Sequence, residues 1–222
     1  MPSLNPYIVP IFATPFGVVA VPGAEARNPA LVELFNARAT PELADPANRQ
    51  ALAYRSREDL FQSADAPIRE LCGGIAAALV AFARGISDLS DAQFAGLRMQ
   101  ARAWYTIVRP DGCVPSGSYS NAAWCAVYCV SAPPLAPERY DSGVLRLHES
   151  FRATMFSDAT NTGTRAPYNP GHSSWRPVPG ELAIFPASTT HEIALLRAAG
   201  NLVLVTALAR FVGAGQTGLP WW

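Results

Sequence analysis

The sequence predicts a mainly β protein, an antiparallel barrel or sandwich with helices packed on its outside. The hydrophobic pattern changes from a helical period to an alternating one at Leu97. Short alternating segments follow, separated by turns rich in Pro, Gly and Asn. Half of the 222 residues are hydrophobic and only 15% are charged, so the chain can bury a large core.

The segment before Leu97 predicts an edge strand and helices. Prolines interrupt the apolar stretch 7–21, which favours an edge strand with turns. Helices are predicted at 28–38, 66–85 and 90–94. Asn28 is the expected N-cap of the first helix, with Pro29 as its first residue. The second helix is the strongest, because its apolar residues recur at helical spacing, and residues 40–65 are expected to be irregular.

The segment after Leu97 predicts the strands. Along 97–108, alternate side chains fall on two faces, one of which includes Tyr105 and Ile107 and the other Trp104 and Thr106. This period of two is typical of a strand with one buried face. Further strands are predicted at 122–130, 143–149, 180–185, 191–197 and 201–211. We expect a single domain over 1–222, in which 1–96 support a core formed by 97–212.

Composition excludes several classes of function. Positive and negative side chains balance at 17 each, so nothing favours a nucleic-acid or membrane partner. The chain has no Lys, which excludes lysine Schiff-base chemistry and Walker-type phosphate binding. Four Cys do not make a disulfide scaffold in a chain of this size, so we expect free thiols and a cytoplasmic location. No segment is expected to span a membrane or to act as a signal peptide.

His191 has the most informative local context of the three histidines. Pro186 ends the preceding predicted strand because it cannot donate to a strand ladder, and small residues then lead to His191. The ring shares a predicted face with Ile193 and Leu195, so we expect it at the barrel mouth, facing a concave pocket. A buried imidazole needs a partner, which is a metal, a carboxylate such as Glu149, or a backbone carbonyl.

Five motifs carry a resemblance to a known family. They are WYTIVRPDGCVP (104–115), WCAVYCV (124–130), SGVLRLHES (142–150), RPVPGELAIFPASTTH (176–191) and NLVLVTALARF (201–211). On these motifs the chain resembles the double-stranded β-helix oxygenases, barrels of the jelly-roll or cupin-like type that use Fe(II) and 2-oxoglutarate. It is most similar to a small bacterial and phage group. The G-x-L-x-x-F-P spacing to His191 is the most specific part of this resemblance.

The resemblance implies a fold, cofactors and a site. It implies a double-stranded β-helix over 97–212, with helix 66–84 against its larger sheet, and an oxidoreductase of the dioxygenase type with Fe(II) and 2-oxoglutarate as cofactors. His191 would be the distal iron ligand. The near-side ligand pair falls on Gly117 and Tyr119, and the position of the 2-oxoglutarate arginine falls on Asn201. These three residues depart from the family pattern.

The resemblance also implies how the side chains of the predicted strand 122–130 are oriented. By resemblance, Tyr128 points into the barrel and offers its hydroxyl to a bound carboxylate or water. Cys129 then points outward against helix 66–84.

The chain could rebuild the site from other residues. His148, His172 and His191 could form a three-nitrogen metal site, with His148 on a strand and His172 in the loop before the distal strand. Arg146 and Arg197 could meet a carboxylate. Glu149 and Trp175 could line the pocket together with Tyr119. The alternatives are surface or hydrogen-bonded roles for His148 and His172, and ion pairs for both arginines.

Two main hypotheses of function follow. The first is an Fe(II)/2-oxoglutarate oxygenase with rearranged ligands that acts on a small or peptidic substrate. The second is a metal-free relative whose barrel binds a small ligand or protein partner without redox chemistry. A cupin-like isomerase or lyase is a weaker third option, and a homodimer is compatible with all of them.

Overall fold

The computed structural model describes residues 13–48, 50–134, 140–148 and 172–213. The helices of these residues are α1 (Ala24–Ala37), α2 (Ala66–Gly85) and α3 (Asp91–Ala95). The strands are β1 (Gly17–Ala20), β2 (Ala53–Arg55), β3 (Arg98–Val108), β4 (Val114–Gly117), β5 (Trp124–Ser131), β6 (Leu145–His148), β7 (His172–Trp175), β8 (Glu181–Pro186), β9 (Thr190–Ile193) and β10 (Leu202–Val212).

The strands form two antiparallel sheets. The larger sheet has six strands in the order β1-β8-β5-β10-β3-β2, and the smaller has four in the order β4-β9-β6-β7. Apart from the pairs β2–β3 and β6–β7, neighbours in a sheet are non-consecutive in sequence, so the chain crosses repeatedly between the two sheets. This is the double-stranded β-helix, and it confirms the mainly β, cupin-like fold class.

The central strands β5, β8 and β10 of the larger sheet are buried on both faces, whereas the edge strand β1 is mostly exposed. Strand alternation sends successive side chains to opposite faces. Along β10, Leu202, Leu204 and Leu208 enter the core between the sheets. Val203 and Val205 instead enter the core beneath the helices. The predicted faces of β3 are correct, but both are buried, since Trp104 and Thr106 are only 3% and 6% exposed.

Helix α2 packs on β5 and β8 of the larger sheet, as expected. It buries one apolar stripe, which includes Ile68, Leu71, Ile75 and Leu79. By length and composition α2 is also long and apolar enough to cross a membrane, contrary to the sequence-based expectation. Here its stripe forms part of the core, as in the central helix of a globular domain.

Helix α1 begins at Ala24, four residues before the predicted start, so Asn28 is not an N-cap. Gly23 takes that position with a φ of 76°, which glycine adopts without steric cost. The Asn28 amide lies inside the helix and donates to the Val130 carbonyl at 2.9 Å. The side chain therefore attaches α1 to β5 instead of starting the helix.

The prediction for Tyr128 is wrong by one residue of register. Its ring is fully buried on the helix side of the sheet, whereas Cys129 faces the core between the sheets. The Tyr128 hydroxyl donates to Asn28 Oδ1 at 2.8 Å and accepts from Arg27 Nη2 at 3.3 Å. Both faces of β5 are buried, so local alternation does not tell which face meets the helices.

Strands β2, β4 and β7 lie in segments that were not predicted as strands. Each has only three or four residues, which is too short to show a period. β7 contains His172, which was expected in a loop. Glu149 and residues 7–12 of the predicted N-terminal strand lie outside the described residues.

The buried hydroxyl of Tyr128 gives a first prediction. Tyr128→Phe leaves Asn28 and Arg27 without this partner, so the free energy of unfolding should fall by about 1–3 kcal/mol. Chemical denaturation measures the change. Tyr140→Phe is the control, since Tyr140 is 78% exposed and its loss should change stability by less than about 0.5 kcal/mol. An unchanged stability in Tyr128→Phe would contradict this placement.

Candidate functional site

A cavity of about 270 Å³ lies between the two sheets. Val127 and Leu204 of the larger sheet and Leu145 and Ile193 of the smaller sheet contribute aliphatic walls. Its other lining residues are mostly polar or aromatic: Asn48, Gln50, Arg55, Trp104, Thr106, Tyr119, His191 and Thr206. His191 thus faces a concave pocket, as its sequence context predicts.

The His191 ring is held by the protein on both nitrogens. Nδ1 lies 2.9 Å from the Thr189 carbonyl oxygen, which can only accept, so Nδ1 carries the proton. Nε2 therefore presents its lone pair, and it faces Cys125 Sγ at 3.9 Å. The edge of the ring packs against Phe185, with centroids 4.9 Å apart. The carbonyl is one of the three partners expected for this imidazole, and the thiol is an addition.

The groups around Nε2 are uncharged at neutral pH. Burial lowers the pKa of His191, although its bond to the Thr189 carbonyl acts in the opposite direction. Burial also raises the pKa of the Tyr119 hydroxyl and of the Cys125 thiol. A neutral imidazole, a phenol and a thiol therefore meet at this end of the pocket.

The two near-side positions lie beside His191. Gly117 pairs directly with His191 across β4 and β9, after an irregularity that follows Val114. A Cβ at Gly117 would have no neighbour within 4 Å. Tyr119 lies two residues further on, and its ring centroid is 5.7 Å from that of His191. Space for a ligand side chain therefore exists, but no ligand side chain fills it.

The expected three-nitrogen site is not formed. His191 pairs with Leu147 across β9 and β6, and paired residues share a face. His148 follows Leu147 and so points to the other face, where its ring lies 6.1 Å from that of His172. The smaller sheet separates these two rings from His191. No group of three or more His, Cys, Asp or Glu side chains within 13–48, 50–134, 140–148 and 172–213 is placed to hold a metal ion.

The residues expected to bind a cosubstrate lie elsewhere. Arg146 is on the outer face of the smaller sheet, 3.2 Å from Glu192. β9 ends at Ile193, and the alternation then shifts, so Leu196 is buried while Leu195 and Arg197 are exposed. Asn201 is exposed immediately before β10.

Two of the expected pocket residues are placed by the structure. Tyr119 lines the pocket. Trp175 packs in the core between the sheets and does not line the pocket.

The structure adds a charged group that the sequence analysis missed. Arg55 lies on β2, and its guanidinium carbon is 4.1 Å from the centroid of the Trp104 ring. Asp45 lies 3.2 Å from its Nε, and Glu58 lies 2.5 Å from its Nη2. Arg55 and Glu58 both lie within residues 40–65, which the sequence predicts to be irregular, and the three residues of β2 are too few to show a period.

The neutral His191 ring gives a prediction of pH dependence. The pKa of His191 is lower in the folded chain than in the unfolded chain, where it is about 6.5. The stability that the neutral ring confers is therefore fully present above about pH 6.5 and is lost as the pH falls below it. Between pH 7.5 and 5.5 the wild type should lose more unfolding free energy than His191→Gln. Because the effect comes from one proton, the difference in unfolding free energy cannot exceed about 1.4 kcal/mol per pH unit. Chemical denaturation at each pH measures this difference. Equal slopes for wild type and His191→Gln would contradict the burial.

Comparison with solved structures identifies the fold. A prolyl-4-hydroxylase from Pseudomonas putida has a TM-score of 0.60 and 15% identity, and the match covers 89% of this chain and 93% of that one. HygX from Streptomyces hygroscopicus, with nickel and 2-oxoglutarate bound, has a TM-score of 0.59 and 13% identity over 94% and 86% of the two chains.

A third similar structure is the prolyl hydroxylase of Trichoplax adhaerens in complex with a hypoxia inducible factor peptide fragment. It has a TM-score of 0.54 and 9% identity over 87% and 82% of the two chains. No protein-family model and no curated relative matches the sequence. The chain therefore has the double-stranded β-helix fold of the 2-oxoglutarate/Fe(II) oxygenases.

Proposed function

We propose that this chain uses an oxygenase-type barrel to bind a small molecule beside His191, without iron-dependent chemistry. One observation carries the proposal. Both nitrogens of His191 have partners inside the protein, and the two near-side positions beside it hold Gly117 and Tyr119. The ring needs no metal to be satisfied.

The donor set does not fit ferrous iron. A non-heme iron site of this type uses two imidazoles and one carboxylate. Gly117 has no side chain, and the raised pKa of Tyr119 opposes the phenolate form that a metal would require. Asp45 and Glu58, the carboxylates beside the lining residue Arg55, pair with arginines.

The pocket also lacks a free cation for 2-oxoglutarate among the described residues. Arg146 and Arg197 lie outside the pocket, and Asn201 replaces the family's arginine. Arg55 is the charged residue in the lining, and two carboxylates already neutralise it. A dicarboxylate would have to give up its hydration without gaining an unpaired cation.

The competing hypothesis is an oxygenase with rearranged ligands. The fold and the position of His191 favour it, and HygX holds hygromycin B in a similar barrel, as the prolyl hydroxylase holds a peptide. Such an enzyme would act on a small or peptidic substrate. An iron titration separates it from the metal-free pocket.

Anaerobic titration with Fe(II) is the direct test. Wild-type protein should bind no stoichiometric iron, with or without 2-oxoglutarate, and His191→Ala should behave in the same way. Binding is followed by equilibrium dialysis and metal analysis, and turnover by oxygen consumption. One equivalent of iron in wild type that is lost in His191→Ala would contradict the proposal and favour the oxygenase.

The open space at Gly117 gives a converse prediction. The double variant Gly117→His with Tyr119→Asp should place two imidazoles and a carboxylate around one point, because a Cβ at residue 117 meets no atom within 4 Å. It should gain about one equivalent of Fe(II) or Co(II), measured by dialysis. Adding His191→Ala should abolish the gain. Failure of the folded double variant to bind either ion would contradict the assigned near-side positions.

A further inference from the structure

We infer that the pocket is built for an uncharged ligand of about one ring and disfavours anions, dicarboxylates included. The inference rests on the proposed function and deepens it by naming the class of ligand. It is carried by the size of the cavity, by the pairing of the charges at its wall and by the shape of that wall.

Size sets the first limit. The cavity of about 270 Å³ is slightly smaller than the roughly 300–1,000 Å³ typical of sites for drug-sized molecules. A single ring with one small polar substituent suits this volume. Larger ligands would have to extend past Asn48 and Gln50, which line the cavity from the segment before β2.

The charges at the wall cancel. Arg55 pairs with Asp45 and Glu58, and the second oxygen of Glu58 lies 2.6 Å from Arg102 Nη1. Two guanidinium groups thus face two carboxylates, and each of the four side chains is at most 27% exposed. A carboxylate ligand would compete with an existing, partly desolvated pair, so it gains little and loses its hydration.

The remaining lining favours a flat, neutral molecule. Trp104 and Tyr119 meet edge to face with centroids 5.6 Å apart, and Tyr119 continues the aromatic wall to His191. Val127 and Leu204 add apolar surface. Thr106 and Thr206 add hydroxyl groups, which can donate to or accept from an amide or a hydroxyl. Aromatic and aliphatic surfaces with a few neutral polar groups recognise an uncharged ring.

Benzamide and benzoate form a matched pair of probes, because they have the same ring and nearly the same size but differ in charge. At pH 7.5, without metal, benzamide should bind wild-type protein at least tenfold more tightly than benzoate or 2-oxoglutarate. The three histidines supply the readout by NMR of their ring Cε1–Hε1 groups. Benzamide should shift the His191 signal, assigned with His191→Gln, and leave those of His148 and His172 on the outer face unchanged.

A charge variant tests the cause. Glu58→Gln removes one of the two carboxylates and leaves one positive charge in excess, so benzoate affinity should rise at least fivefold while benzamide affinity stays the same. Glu192→Gln is the matched control. This variant removes the carboxylate that pairs with Arg146 outside the pocket, so it should change neither the benzoate nor the benzamide affinity.

The outcomes are distinct. Metal-free binding of benzoate or 2-oxoglutarate as tight as that of benzamide would overturn this inference alone. So would the absence of any His191 shift at millimolar benzamide, or an unchanged benzoate affinity in Glu58→Gln. Binding of 2-oxoglutarate only after addition of Fe(II) would instead contradict the proposed function.

Discussion

The alternation of side chains across the strands decides which residues reach the pocket. Leu147 and His191 pair across β6 and β9 and face inward, so the neighbouring His148 faces outward. The same rule puts Val127 in the pocket and Tyr128 under the helices. A shift of one residue in either strand would exchange these roles, and the two buried cores prevent such a shift.

The protein itself supplies a neighbour for each ring nitrogen of His191. In metal sites, a histidine commonly donates one ring N–H to a carbonyl and presents the other nitrogen to the ion. His191 keeps the first half of this arrangement through Thr189, but its Nε2 faces the thiol of Cys125. A thiol that burial keeps protonated is a weak donor to an imidazole lone pair. The bond to Thr189 thus fixes the orientation of the ring, while Nε2 has only a weak partner.

Much of the fold follows from the sequence, but less of the site does. The change of period at Leu97, the stripe of α2 and the spacing from Pro186 to His191 are local signals, and the structure agrees with them. The outward placement of His148 and His172 depends on pairing between distant strands. The burial of Tyr128 depends on Asn28 and Arg27, about one hundred residues earlier. Arg55 lies on a strand of three residues, which is too short for a periodic signal.

The two positions beside His191 contribute unequally to the packing of the barrel. The two cores consist of buried apolar side chains on both sheets and the helices. Gly117 belongs to neither core, and Tyr119 is partly buried and packs against the core between the sheets. A Cβ at Gly117 would have no close neighbour, whereas the ring of Tyr119 packs on Trp104. The Tyr119 ring thus extends the aromatic wall of the cavity and packs against the core. Under the proposed function, the same barrel therefore serves as a shaped pocket for a neutral ligand, since a fold does not fix the chemistry of its site.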